Sequence, residues 1–394
     1  MSDVSSKSSS RNGNARESLF NIVKRDDISA GKAILIRIGA IFAALLICAL
    51  VTILLTKDNP ISIYGTMLEG AFGSVDQWKL SYATAGHFSL PDQLWLTLNN
   101  ISVLLIISLA VTPAFRMRFW NTGAEGQALA GALTSAVLMY YLGGKVPEWA
   151  LIIIVALCGI LAGMIWGLIP AFFKSVWNTN ETLFTLMMNY VAIQLIDYFL
   201  NIAGGGSHVV GPNILTHGWI PELFGKKYLL TLILAVLLTV GMYVYLNYSK
   251  HGYEISVVGE SQNTARYIGI NVRKVIIRTM ALSGAVCGLV GVLLVSGTSH
   301  SIDGNLVAGR GFTAIMVSWL AKFNPAVMFL ASSLIVILER GAGAVSTRFG
   351  LNSSFSSILT GIILFFIIGC EFFINYRIRI NRRKNDSENG GEEK

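Results

Sequence analysis

The sequence predicts an all-α, polytopic bundle with about ten transmembrane helices, some of them broken or re-entrant. Hydrophobic residues make up 53% of the chain and charged residues only 13%, whereas about 25% of an ordinary soluble domain is charged. The mean hydropathy of the chain is +0.60. Apolar runs of about 18 or more residues recur along most of the chain, and each is long enough to cross the hydrocarbon layer.

The apolar segments divide the chain into two tails and one membrane domain. Residues 1–32 are polar and Ser-rich and are expected to form a disordered cytoplasmic tail, residues 33–376 form the membrane domain, and residues 377–394 form a charged cytoplasmic tail. The eighth segment is short and either spans or re-enters. In order, the segments lie near 33–55, 94–113, 122–142, 149–172, 181–201, 228–248, 276–297, 306–321, 325–342 and 356–376.

The distribution of positive charge predicts that both termini are cytoplasmic, because Lys and Arg concentrate on the inner side of a membrane. Both tails are rich in these residues, and two inner termini require an even number of spans. Alternation also places Arg116, Lys174 and the loop 249–275 inside, while the long loops 56–93 and 202–227 lie outside with few cations. The net charge of +8 therefore reports topology, and a nucleic-acid surface is not expected.

The sequence contains no pattern expected of an enzyme or of a metal or cofactor site. The Gly-Lys pairs at Gly31, Gly144 and Gly225 are not followed by Ser or Thr, so no phosphate-binding loop of the G-x-x-x-x-G-K-[ST] type is present. The five histidines are scattered through loops, and the four cysteines lie singly in apolar stretches. We therefore expect no cofactor, no metal and no ATPase site, and we interpret the cysteines as packing residues.

Polar residues open the third segment in the run Asn121-Thr-Gly-Ala-Glu125-Gly-Gln127. Polar groups inside a membrane domain are costly, so Asn121, Glu125 and Gln127 are candidates for lining a translocation path. The two glycines of the run permit irregular backbone. The alternative is that Glu125 and Gln127 cap the start of a helix. Spacing alone leaves both interpretations open.

The fifth segment carries a polar stripe that includes Thr185 and Asn189 on one helical face, with Asp197 two turns farther on. This stripe is a second candidate for the path. It is equally compatible with hydrogen bonding between helices, which contributes about 0.6 kcal/mol for each bond.

Glycine spacing predicts close helix packing in two places. One ribbon contains Gly159, Gly163 and Gly167, and a second contains Gly284 and Gly288. Small residues at this spacing let helix backbones approach closely in lipid, which favours a compact bundle.

The loop 249–275 contains a short amphipathic stretch between glycines, which predicts a helix of one to two turns bounded by turns. A short helix on the inner face of a transporter without its own ATPase is suited to dock one. The candidate coupling residues are Gly252, Gly259, Glu260, Ala265, Arg266 and Gly269.

Taken together, several runs resemble a known family. They are N-T-G-A-E-G-Q at 121–127, N-E-T-L-F-T-L-M-M-N-Y at 180–190, the loop 252–270, S-G-A-V-C-G-L-V-G at 283–291 and G-R-G-F-T-A-I at 309–315. In this order they resemble the permeases of ABC importers of the ribose, branched-chain amino-acid and nucleoside group. The first two runs are most similar to those of bacterial nucleoside permeases, and the resemblance covers roughly 60–380.

The resemblance implies a multi-pass permease subunit of the cytoplasmic membrane. Its implied partners are a cytoplasmic ABC ATPase that docks on the loop 249–275, a second and usually different permease subunit, and a solute-binding lipoprotein or periplasmic protein. ATP would be used by the ATPase partner. The expected solute is a nucleoside, or otherwise a ribose-like sugar. Residues 317–325 depart from the family pattern, where A-L-L-G is common, and this leaves sugars, nucleosides and related solutes open.

Two other classes of membrane protein make different demands on the sequence. An ion-coupled secondary transporter would need ionisable residues near the middle of the bilayer, and Asp197 is the one candidate in the sequence. A membrane enzyme or scaffold is disfavoured because no catalytic arrangement is recognisable.

Overall fold

The computed structural model describes residues 20–24, 29–56, 59–85 and 90–380. Two short strands, β1 (Phe20–Lys24) and β2 (Tyr376–Ile380), accompany a helical bundle. The helices are α1 (Ala30–Thr56), α2 (Pro60–Phe72), α3 (Val75–Ala85), α4 (Asp92–Arg116), α5 (Ala124–Leu142), α6 (Glu148–Trp177), α7 (Glu181–Ala203), α8 (Leu229–Tyr248), α9 (Lys250–Glu260), α10 (Gln262–Tyr267), α11 (Val272–Val292, continued by a π-helical segment Leu293–Ser299), α12 (Arg310–Leu320), α13 (Pro325–Arg348) and α14 (Ser353–Asn375).

Within the described residues, eight helices are long and apolar enough to cross a membrane, which confirms the polytopic all-α bundle. They are α1, α4, α6, α7, α8, α11 with its π-helical extension, α13 and α14. The other two predicted segments correspond to α5 and α12. Helix α5 has 19 residues but a polar first turn, whereas α12 has only 11 residues. At 1.5 Å per residue α12 is about 16 Å long, roughly half the hydrocarbon thickness, so this helix does not cross the membrane by itself.

The chain clusters into two compact units, residues 58–360 and a unit formed by residues 1–57 with 361–394. In the second unit, Arg37 of α1 forms an ion pair with Glu371 of α14 at 2.6 Å. Strands β1 and β2 pair antiparallel, with Phe20 opposite Ile380. The tails predicted at 1–32 and 377–394 therefore contain regular structure at 20–24 and 377–380. Residues 1–19, 25–28 and 381–394 of these tails lie outside the described residues.

The segment 56–93, which the sequence suggested was a loop, contains helices α2 and α3. The Asn59 side chain accepts a hydrogen bond from the Ile61 amide at 3.0 Å, and Pro60 opens α2, as is common at helix starts. Helix α2 packs closely on α13, because a Cβ atom added at Gly341 would lie 2.8 Å from the Met67 carbonyl oxygen.

The centre of the larger unit is formed by α5, α6 and α11, and α6 and α11 share the most extensive contact between two helices. A Cβ atom added at Gly163 would lie 2.5 Å from the Gly284 carbonyl oxygen, and one added at Gly288 would lie 2.6 Å from that of Gly159. One added at Gly167 would lie 2.9 Å from the Met280 carbonyl oxygen. The two glycine ribbons therefore face each other, and no side chain fits between these backbones.

We predict that Gly163→Val destabilises the protein by about 3 kcal/mol or more, because the added side chain must separate α6 from α11. The measurement is the melting temperature of the protein purified in detergent. Gly241→Val is the matched control, since Gly241 lies inside α8 with no atom within 4 Å of an added Cβ. Equal melting temperatures for the two variants would contradict the packing described above.

Candidate functional site

The polar residues that the sequence analysis singled out lie together where α5 begins. Asn121 is 0% exposed, and Glu125, Gln127, Thr185 and Asn189 are also buried. Asn121 belongs to the turn that precedes α5, while Thr185 and Asn189 come from α7. The structure therefore brings the two separate sequence candidates into one cluster.

Asn121 organises the turn before α5. Its Oδ1 accepts hydrogen bonds from the amide of Gly123 at 3.1 Å and from Nε2 of Gln127 at 3.2 Å. Its Nδ2 donates to Oγ of Ser283 on α11 at 3.1 Å. This side chain thus holds an irregular turn in place and joins it to the centre of the bundle.

Asn189 and Thr185 join α7 to the same turn. Oδ1 of Asn189 accepts a hydrogen bond from the Gly126 amide at 2.9 Å, and its Nδ2 donates to the Thr122 carbonyl, also at 2.9 Å. The Thr122 amide donates to Oγ1 of Thr185 at 3.2 Å. An added Cβ at Gly126 would lie 2.8 Å from Oδ1 of Asn189, so glycine is needed for this approach.

Glu125 binds the beginning of a different helix from its own. One carboxylate oxygen accepts a hydrogen bond from the Gly309 amide at 2.8 Å, and the other accepts one from the Gly311 amide at 2.7 Å. These amides belong to the first turn of α12, where unpaired N–H groups and the helix dipole favour a negative charge. The capping interpretation of Glu125 was therefore right about the chemistry but placed the carboxylate on the wrong helix.

Each side-chain polar atom of these five residues has a hydrogen-bond partner within the chain. The cluster therefore fixes the position of α12 and of the turn before α5. Spacing could not show this pairing, because Glu125 and Gly309 are separated by 184 residues.

The loop 249–275 contains two helices, α9 and α10, in place of the single short helix expected. Ser249 caps α9 by accepting from the Gly252 amide at 3.1 Å, and Ser261 caps α10 by accepting from the Thr264 amide at 3.2 Å. Gly252 and Gly259 lie inside α9 and not in flanking turns. The two glycines expected to flank one short helix were Gly259 and Gly269, and α10 lies between them. Gly252 and Gly259 instead allow α9 to contact neighbouring backbone.

Helix α9 is fixed to the bundle at two points. A Cβ atom added at Gly259 would collide with the Arg116 carbonyl oxygen at the end of α4. Glu254 accepts a hydrogen bond from Arg278 of α11 at 2.9 Å. Partial burial raises the pKa of Glu254, but the hydrogen bond and charge of Arg278, with a smaller effect of His251, outweigh it and lower the pKa overall. The ion pair is therefore intact at neutral pH.

Helix α10 presents most of its side chains to solvent. Ala265 is its buried contact, whereas Arg266 is exposed and Tyr267 is 93% exposed. Gly269 ends the helix at φ +85°, with the Ile270 amide bonded to the Ala265 carbonyl, a common helix-terminating arrangement. Glu260, at the end of α9, is also exposed. The candidate residues of this loop thus divide into anchors, which are Gly252, Gly259 and Ala265, and an exposed group.

A groove of about 470 Å³ adjoins Gly259 and Glu260. It lies between α9 and the ends of α4 and α12, and aromatic rings form much of its wall. Trp120 and Trp319 have ring centroids 5.5 Å apart, and Phe115 packs edge-on to both rings. The C-terminal end of α12 therefore lies beside the loop 249–275, at the same groove.

A polar cavity of about 680 Å³ lies at the opposite end of α12, where α4 begins and α13 ends. Arg310, Glu339 and Arg340 line it together with Gln93 and Asn100. Sequence reading attributed no site to Glu339 and Arg340, since charges near span ends are common. In the structure α13 continues to Arg348, so Glu339 and Arg340 lie about two helical turns inside this helix, a position that the predicted segment 325–342 did not show.

Side chains at the rim of this polar cavity are bonded to one another. Arg348 donates to Glu69 at 3.1 Å and to Oγ1 of Thr66 at 3.0 Å. Deeper in, the Nε atoms of Arg310 and Arg340 are buried and have no hydrogen-bond partner among the described residues. Two arginines, Arg310 and Arg340, therefore line this cavity, each with a buried Nε left unpaired by the described part of the chain.

Comparison with known proteins places the chain in a family. The model of the family described as branched-chain amino acid transport system / permease component matches residues 94–368. The chain is 30% identical over 278 residues to the guanosine ABC transporter permease protein NupP of Bacillus subtilis, covering 69% of this chain and 79% of that relative.

Two further relatives cover similar shares. The glucose ABC transporter permease protein TsgB13 of Haloferax volcanii is 29% identical over 300 residues, which is 72% of this chain and 78% of the relative. The nucleoside ABC transporter permease protein NupB of Lactococcus lactis subsp. cremoris is 24% identical over 319 residues, 77% of this chain and 87% of the relative. The resemblance seen in the sequence motifs is confirmed. The chain belongs to the branched-chain amino acid transport system permease family, and it is a multi-pass permease component of an ABC transporter in the cytoplasmic membrane.

Proposed function

We propose that this permease imports a small polar solute that an extracytoplasmic binding protein delivers, and that a separate cytoplasmic ATPase drives the import. The solute proposed is a nucleoside, or otherwise a ribose-like sugar. Two of the relatives named above are nucleoside or guanosine permeases and one is a glucose permease, which supports this range. The polar lining of the 680 Å³ cavity agrees with a solute rich in hydrogen-bonding groups.

The observation that carries the proposal is the construction of the loop 249–275. Helix α9 is anchored to α4 through Gly259 and to α11 through Arg278, while α10 leaves Arg266 and Tyr267 exposed. Because α9 is anchored and α10 is exposed, a movement of a partner docked on α10 would be transmitted through α9 into the bundle. We propose that the ATPase docks on α10 and hydrolyses ATP itself, so that the permease needs no cofactor.

The remaining partners follow from the same proposal. A second permease subunit, of a different sequence, would complete the path, and both termini of this chain would lie on the cytoplasmic side with the loop 249–275. The polar cavity, where α4 begins, would then lie on the outer side, where the binding protein delivers solute. The secondary-transporter alternative gains no support from Asp197, which lies on α7 outside both the polar cluster and the polar cavity.

We propose that Asn121, Glu125, Gln127, Thr185 and Asn189 act at the translocation path by positioning its walls. Their hydrogen bonds fix the turn before α5 and the first turn of α12. Because α12, with 11 residues, is too short to span the membrane, its position depends on such contacts more than that of a spanning helix does.

Tyr267→Ala is expected to lower ATP-driven uptake at least fivefold while leaving the protein inserted and folded, because this ring is a large exposed contact surface. The measurement is uptake and ATPase activity of the complete transporter in proteoliposomes, with co-purification of the ATPase. Tyr198→Ala is the control, since Tyr198 is also largely exposed but lies on α7. Full uptake with the Tyr267 variant would exclude α10 as the docking helix.

Gly259→Leu is expected to uncouple ATP hydrolysis from uptake, because the leucine side chain collides with the end of α4 and displaces α9. ATPase activity should persist while uptake falls. Gly269→Leu should act more weakly: it strains a backbone with φ +85° but meets no neighbouring atom. If both variants couple as the unmodified protein does, the loop has been assigned the wrong role.

Asn189→Ala is expected to change uptake kinetics without loss of expression. It leaves the Gly126 amide and the Thr122 carbonyl without their partner, at a cost of about 1–3 kcal/mol each in a buried site. Asn201→Ala is the control, since Asn201 is an exposed residue of the same helix. A lower melting temperature with unchanged uptake per folded transporter would show that Asn189 serves packing alone.

A further inference from the structure

We infer that the polar cavity beside the first residue of α12 is a binding site for a neutral, hydroxyl-rich solute. This inference rests on the proposed function and names the site at which the permease itself contacts its solute. The cavity is lined by α2, α3, the first turns of α4, the beginning of α12, the last turns of α13 and the first turn of α14. Its volume of about 680 Å³ falls within the range of small-molecule sites, about 300–1,000 Å³.

The arginines of this cavity point to a ligand with acceptor oxygens. The Nε atoms of Arg310 and Arg340 are buried, and among the described residues they have no hydrogen-bond partner. Leaving a charged donor buried and unpaired is costly. Both side chains also line the cavity, so oxygen atoms of a bound solute would pair with the other N–H groups of each guanidinium, which donates to two acceptors in a fixed plane, and this would offset part of that cost.

The acidic and amide residues of the cavity argue against an anion. Glu339 lines the same space as Arg310 and Arg340, and Glu69 is taken up by its ion pair with Arg348 at the rim. A phosphate group in this space would meet the carboxylate of Glu339 as well as the two guanidinium groups, and like charges repel. A hydroxyl group both donates and accepts, so it can bond to a carboxylate on one side and a guanidinium on the other.

Two amide side chains line the cavity together with the charged groups. Gln93 donates from Nε2 to the Gly70 carbonyl at 2.7 Å, which fixes the side chain. Asn100, about two helical turns farther along the same face of α4, also lines the cavity. Carboxylate, guanidinium and amide groups around one space match the vicinal hydroxyls of a pentose, either free or as the ribose of a nucleoside.

The experiment compares Arg340→Gln and Asn100→Leu with the control Asn247→Leu in the complete transporter. Asn247 is an exposed residue of α8 outside the cavity. ATP-driven uptake of labelled adenosine and of labelled ribose is measured in proteoliposomes, with unlabelled adenosine monophosphate as competitor. Equilibrium dialysis of both labelled probes against the purified transporter, without binding protein, reports on the cavity independently of uptake. Melting temperature and basal ATPase activity monitor folding.

Both cavity variants should reduce adenosine or ribose binding and low-concentration uptake roughly tenfold, the effect of losing one good hydrogen bond to a charged or polar group. Saturating solute should restore part of the uptake, and Asn247→Leu should match the unmodified transporter. Adenosine monophosphate should compete at least tenfold less well than adenosine. Tighter binding of adenosine than of ribose would show that the cavity also contacts the base, and tighter binding of ribose would show that it does not.

Several results overturn the inference. Wild-type binding and uptake in both cavity variants would show that the solute does not contact this cavity, while the unmodified transporter's uptake would still support the proposed function. Equal competition by adenosine monophosphate would show that the site takes anions. If neither probe binds to the unmodified transporter in dialysis, the cavity is not a solute site. If the probes bind, and bind more weakly to the cavity variants, but no uptake occurs, the result counts against the proposed import and not against the cavity.

Discussion

The carboxylate of Glu125 fixes the element on which the rest of the site depends. Helix α12 is about 16 Å long with 11 residues, so it cannot be placed by spanning the bilayer as its neighbours are. Its position is set by the hydrogen bonds from the Gly309 and Gly311 amides to Glu125, at 2.8 and 2.7 Å. A buried carboxylate is tolerated there because two amides and the helix dipole compensate for its lost hydration.

Glu125 can serve this purpose because the start of α5 is itself rigid. Asn121 ties the preceding turn to Ser283 of α11, and Asn189 ties it to α7. Helix α11 is in turn held against α6 by backbone contact at Gly163 and Gly288, where no side chain fits. In lipid, where apolar burial does not drive helices together, such contacts and buried hydrogen bonds supply the specificity of the bundle.

The sequence predicted those parts of the structure that depend on local composition. Long apolar runs predicted the spanning helices, and glycine spacing indicated the α6–α11 interface, because both signals lie within single segments. It did not predict α2 and α3, although Asn59-Pro60 is a helix-start signal, because their apolar stretches are too short to register as spans. Nor could it predict that Glu125 binds α12 or that Arg310 meets Arg340 in one cavity, since these contacts join residues distant in sequence.

Helix α12, like α4, lies next to both proposed sites. Its first residue, Arg310, lines the polar cavity, and Trp319 near its other end packs on Trp120 beside the groove that Gly259 borders. A displacement of α9 against the end of α4 would therefore reach α12 through the aromatic contacts of Phe115 and Trp120 with Trp319. Because α12 is short and held at its start by one carboxylate, a small shift at Trp319 would alter the position of Arg310. Under the proposed coupling, this arrangement would give ATP hydrolysis in the partner ATPase a direct mechanical route from the loop to the proposed solute cavity.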